Sequence, residues 1–96
     1  MVQKLDDAAL ATKLAEVPAW RLEDGALRRS LTFGDFSEAF GFMTRVALIA
    51  EKLDHHPDWS NSWNRVDLAI SSHDAGGLTE QCFTFATKVD ALLPAD

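Results

Sequence analysis

The chain has 96 residues, 47% of them hydrophobic and 25% charged, with a formal charge of −6; this suits one compact folded unit and excludes a disordered chain or two independent cores. Phosphate-backbone binding needs clustered cations, and only Arg28 and Arg29 are adjacent here, so a direct nucleic-acid partner is not expected. No apolar run approaches the roughly 20 residues that span a bilayer, the lone Cys82 cannot close an internal disulfide, and the opening VQKLDDAAL lacks a signal-peptide core, so a cytoplasmic protein without membrane contact is expected.

In chain order, Asp6 or Asp7 can cap a first short helix through about Glu16, with Leu10 and Leu14 one turn apart. Pro18 then ends it, because the residue before a proline avoids the α region. Trp20 to Glu23, Asp24-Gly25 and Ala26 to Phe33 spell a hairpin, since Asp-Gly supplies the positive φ angles of a two-residue turn. That register opposes Leu22 to Leu27 and Trp20 to Arg29, with Leu27, Leu31 and Phe33 sharing a face.

Asp35 and Glu38 form a capping-box pattern at the head of the main helix, in which Phe36, Phe40, Met43, Val46, Ala47, Ile49, Ala50 and Leu53 follow helical spacing as the expected core stripe. Pro57 is expected to stop this helix. Trp59 to Trp63 and Val66 to Ser72 then alternate as a second hairpin turning at Asn64-Arg65. A two-residue loop there opposes Trp63 to Val66, Asn61 to Leu68 and Trp59 to Ile70, and carried to the open end it sets His56 opposite His73.

After Asp74-Ala75-Gly76-Gly77, Thr79 is a good cap for a third helix running to about Leu93, with Leu78 stapling onto Phe83 and Cys82, Ala86, Val89 and Leu93 as its buried stripe. Pro94-Ala95-Asp96 reads as a loose tail. The order α-β-β-α-β-β-α gives an α+β fold: a four-stranded antiparallel sheet with three helices on one face, forming one domain over residues 1–96. A core of this size is marginal alone, so self-association is expected.

The chemistry-bearing residues collect around DHHPDW. His55 and His56 follow the helix end, His73 ends a strand, and Glu51 lies four residues before His55, one helical turn back. The plainest reading is that imidazoles end a helix favourably beside its dipole. A second is a metal centre of two histidines and a carboxylate, although sequence-adjacent ligands diverge. The third is metal-free general acid-base chemistry, with imidazoles on either side of a small substrate and Glu51 and Asp54 orienting the rings. No serine or Cys82 stands in an activating motif, and Cys82 reads as core packing.

The block AEKLDHHPDW, then Asn61, WNRV, SHD and GGLT, together with the Trp20 hairpin and FGDFSEAF, closely resembles the pterin-4a-carbinolamine dehydratase family over nearly the whole chain. The resemblance implies a hydro-lyase that converts 4a-hydroxytetrahydropterin to quinonoid dihydropterin, the recycling step for pterin-dependent aromatic amino acid hydroxylases. It implies no metal and no organic cofactor, and assembly as a homodimer or homotetramer. Carried over by motif, His55, His56 and His73 would be catalytic, and Glu51, Asp54, Pro57, Trp59, Ser72 and Asp74 would bind substrate. Ser60 and Ser62 stand where the family carries bulky apolar residues, Trp63 where it has tyrosine, Ser72 where it has threonine and Cys82 where it has aspartate. These departures keep open an alternative, a non-catalytic pterin-binding or protein-assembly module on the same fold. The loss of an acid at the third position after the Thr79 cap would also be expected to loosen the loop carrying His73.

Overall fold

A computed structural model describes residues 3–94; the expected tail positions Ala95 and Asp96 lie outside them. The elements are α1 (Asp7–Glu16), β1 (Arg21–Glu23), β2 (Ala26–Thr32), α2 (Phe36–Leu53), β3 (Asp58–Ser62), β4 (Arg65–Ile70) and α3 (Glu80–Asp90). The strands form one antiparallel sheet in the order β1-β2-β4-β3, and the three helices cover one of its faces.

The start signals of α1 and α2 work through named bonds. Asp6 accepts the N–H of Ala9 at 2.8 Å and caps α1, whose C-cap Val17 is buried just before Pro18. Asp35 accepts the N–H of Glu38 at 2.8 Å, while Glu38 reaches back to the N–H of Gly34 at 3.0 Å. The first hairpin turns at Asp24 and Gly25, both at positive φ, and pairs Leu22 with Leu27. Beyond its end, Trp20 and Arg29 meet on one acceptor, the carboxylate of Asp90 in α3.

Alternation along β2 and β4 turns Leu27, Val66, Leu68 and Ile70 inward, all buried, against Val46 and Ala50 of α2 and Cys82, Phe85, Ala86 and Val89 of α3. Fully burying one such aliphatic side chain contributes about 1.5–3 kcal/mol. A one-residue slip that exposed all four would therefore cost as much as the whole stability of a domain this size, so face parity is fixed.

Within that parity, four expectations need correction. The second hairpin turns at Trp63-Asn64, not at Asn64-Arg65, with Trp63 at φ 48°, so Ser62 opposes Arg65, Asn61 opposes Val66 and Trp59 opposes Leu68. Each inward residue keeps its face but meets the partner one pair earlier. Pairing stops at Asp58–Ala69, so no ladder opposes His56 to His73. Helix α2 has two apolar stripes, and the core takes Ala39, Phe42, Val46 and Ala50; Phe36 and Phe40 stay 49% and 56% exposed, their rings 5.8 Å apart, and Ala47 also faces out.

Termination differs too. α2 ends at Leu53, before Pro57 demands it, because Asp54 adopts the left-handed conformation at φ 51°. The N–H of Asp54 then bonds Glu51 O at 3.3 Å and that of His55 bonds Ala50 O at 3.0 Å, the paired bonds of a Schellman turn. α3 ends at Asp90 and leaves Leu93 in a following turn, partly buried on the core.

Candidate active site

The Schellman turn at the end of α2 answers why adjacent imidazoles sit there. By reversing the chain at Asp54 it sends His55 inward, half-buried, and leaves His56 exposed. The turn is pinned across the fold by Gln81 of α3, whose amide donates to Leu53 O at 2.6 Å and satisfies a carbonyl the helix end leaves open.

The opposite wall comes from the loop after β4. Buried Ser72 exchanges backbone contacts with Gly77 in an isolated bridge, its N–H meeting Gly77 O at 2.9 Å, and its hydroxyl accepts the N–H of Ala75 at 3.3 Å. Gly76 holds φ 74° in this loop, a conformation that favours glycine. The N-terminal segment closes over it, with Leu5 N–H donating to Leu78 O at 2.9 Å.

Between the two walls lies a cavity of about 230 Å³ lined by Asp54, His55, His56, Ser71, Ser72, His73 and Asp74. The three imidazoles thus share one hollow, although loop geometry rather than strand register collects them. The remaining expected substrate-binding residues do not line the cavity: Glu51 bonds a lining ring, Pro57 separates His56 from β3, and Trp59 packs against the core. Trp59 also borders an adjoining groove of about 490 Å³ over the open sheet face, which shares Ser71 and His73 with the cavity. Ser71 joins the lining because β4 ends at Ile70, short of the expected Ser72, a boundary that no residue in the sequence marks.

Each ring has a different partner. Glu51 Oε2 lies 2.7 Å from His56 Nε2, so the carboxylate one turn back from His55 serves His56 instead, a consequence of the reversal at Asp54. His73 Nε2 lies 3.7 Å from Asp58 at the head of β3. Both contacts are exposed, where ion pairs stabilise a fold by only about 0–1 kcal/mol, so they orient rings more than they hold the domain together. Among the described residues no carboxylate is bonded to His55: its Nε2 lies 3.3 Å from the sulfur of Cys82. Burial pushes the pKa of His55 below the ordinary histidine value, with the neighbouring His56 and His73 adding to the effect and Asp54 opposing it.

Cys82 is fully buried on α3 and also accepts the N–H of Thr79 at 3.5 Å. The sulfur therefore occupies the place of the expected acid in the capping box, and the bridged loop carrying His73 is formed with it. Among the described residues no helix is long and apolar enough to cross a membrane, and no group of three His, Cys, Asp or Glu side chains is arranged to hold a metal ion.

The chain is thus a small α+β fold in which three imidazoles and their neighbouring carboxylates surround one hollow. Residues 3–92 match the family described as Pterin 4 alpha carbinolamine dehydratase. A Rhodospirillum rubrum protein named for that activity is 54% identical over 97% of this chain and 99% of its own length. One from Burkholderia multivorans, named likewise, is 50% identical over 96% of this chain and 92% of its own. The crystal structure of a transcriptional coactivator/pterin dehydratase from Brucella melitensis superposes with a TM-score of 0.91 at 41% identity, covering 96% of this chain and all of that one. A pterin dehydratase-like RuBisCO assembly factor of the alpha-carboxysome, 23% identical with a TM-score of 0.69 over 81% of this chain, shares the fold. The chain belongs to the pterin-4a-carbinolamine dehydratase family.

Proposed function

We propose that this protein dehydrates 4a-hydroxytetrahydropterin to quinonoid dihydropterin and water, recycling the pterin of aromatic amino acid hydroxylases in the cytoplasm. The observation that carries this reading is the sharing of one cavity by His55, His56 and His73, supported by the family to which the chain belongs. The C4a–O bond breaks as one imidazolium gives its proton to the departing hydroxyl. The ring nitrogen beside C4a loses its proton to a neutral imidazole, and its electron pair forms the new C=N bond.

His55 is the ring suited to the base role, because burial disfavours its charged form and keeps it available as an acceptor near neutral pH. His56 beside Glu51 and His73 beside Asp58 are the rings oriented by a carboxylate, and they are assigned the donor role. Asp54, Ser72 and Asp74 supply polar edges to a bicyclic ring bound in the cavity, and Trp59 lines the adjoining groove into which part of the ligand can extend. Replacing the three histidines together should reduce decay of the 4a-hydroxy species to its uncatalysed rate; equal rates for wild type and triple variant would remove the proposal.

The outward stripe of α2, with Phe36, Phe40 and Leu48 all exposed, favours assembly as a homodimer or homotetramer. Light scattering of the purified protein should give two or four chains per particle; a monomer at micromolar concentration would contradict it.

A further inference from the structure

Cys82 is a buried side chain in contact with the site that the proton transfers above do not use. It lies on α3, outside the cavity lining, and its sulfur is the only protein atom hydrogen-bonded to the His55 ring among the described residues. We propose that Cys82 is a positioning residue for His55: its sulfur accepts the hydrogen on Nε2, which fixes the ring's orientation and leaves Nδ1 as the bare nitrogen that takes the substrate's proton. This rests on the dehydratase reading for its catalytic consequence and for the direction of the bond, though not for the contact itself.

Few hydrogen-bond arrangements are open to the sulfur. Sγ has three polar neighbours: His55 Nε2 at 3.3 Å, Thr79 N at 3.5 Å and Thr79 Oγ1 at 3.6 Å. The amide can only donate, so Sγ accepts it. If the ring also donates, the thiol hydrogen can go to Thr79 Oγ1, which is able to accept it. Were the thiol to donate to Nε2 instead, both ring nitrogens would be occupied and His55 could take no proton from a substrate. Only the first arrangement leaves a working base.

The chemical identity of the partner matters as much as its place. An ion pair at Cys82 would have to be desolvated completely, since the side chain is fully buried, so the contact is written between an uncharged thiol and an uncharged imidazole. A carboxylate there would instead favour the imidazolium and turn His55 from acceptor into donor. The other charged or titratable groups facing His55 are Asp54 on its own turn, His56 beside it, Glu51 on α2 through His56, and His73 and Asp74 across the cavity. The choice at position 82 thus acts against a fixed surrounding set.

The test is nitrogen-15 NMR of the imidazoles in the full chain, with His55 assigned by its loss in His55→Gln. In wild type the neutral ring should carry its hydrogen on Nε2, and the opposite tautomer would overturn the proposal whether or not the protein has dehydratase activity. Cys82→Asp should raise the His55 titration midpoint by about one pH unit or more, and move the acid limb of kcat by the same amount while KM changes less. An unmoved midpoint would also overturn it. Cys82→Ser should keep the wild-type tautomer, whereas Cys82→Ala should release it; identical spectra for these two would count against the contact, and they serve if Cys82→Asp does not fold. Absence of turnover in a wild-type protein with the stated tautomer would remove the dehydratase reading and leave the Cys82–His55 bond standing.

Discussion

The two ends of the β3–β4 hairpin are built to opposite purposes. At the turn, Phe33 N–H donates to Asn64 O and the Asn64 amide donates to Phe33 O, both at 2.8 Å, while Asn61 spans the turn with bonds of 3.1 and 2.8 Å to Trp63 O and Arg65 O. That end is saturated with hydrogen bonds and carries no histidine. At the open end, pairing stops at Asp58–Ala69 and three imidazoles face one another across a cavity of about 230 Å³. Rigidity is concentrated where no chemistry is proposed, and the polar groups left for a ligand are concentrated where the ladder ends.

Variants can separate the two ends. The largest effect is expected at the open end, where replacing His55, His56 and His73 by alanine should remove the roughly 10²–10⁴-fold that positioned acid-base groups contribute, with the circular dichroism spectrum unchanged. At the turn end, Asn64→Ala should lower stability by about 1–2 kcal/mol through the unpaired Phe33 carbonyl, measured by urea unfolding, and leave kcat as in wild type. A large loss of kcat in Asn64→Ala would erase the contrast.

A smaller effect sharpens it. Asp54→Gly relieves a left-handed conformation that costs a non-glycine residue about 1 kcal/mol, so the variant should unfold at higher urea while turning over more slowly, having lost the carboxylate beside His55. Increased stability with undiminished activity would show that Asp54 serves only the turn.

The smallest effect is a pH dependence. The folded-state pKa of His55 lies below its unfolded value, so the unfolded chain takes up the proton first. Stability should fall as pH drops through about 6.5 and stop falling, for this group, below the folded pKa. His55→Asn should flatten that part of the curve; an unchanged slope would place the acid sensitivity elsewhere.

How much of this was legible in the sequence follows the same division between local and distant causes. Capping boxes, the Asp-Gly hairpin and the inward faces of β2 and β4 are local or periodic, and they read correctly. The turn at Trp63-Asn64 did not, because a positive φ at a bulky aromatic is locally unfavourable; the bonds that select it come from Phe33, thirty-one residues away in sequence from Asn64. The main helix misled through having two apolar stripes, of which the sequence alone cannot say which meets the sheet. The motif marks the site residues, but strand register does not explain their meeting, since no His56–His73 cross-strand pair forms. The αL turn at Asp54 and the Ser72–Gly77 bridge bring them together instead. Cys82 read as core packing because its contact with His55 crosses from α3 to the end of α2.

The most direct trial is stopped-flow decay of 4a-hydroxytetrahydropterin with and without the protein. Acceleration that disappears in the triple-histidine variant is the predicted result. Decay at the buffer rate in the presence of folded wild-type protein would contradict the account.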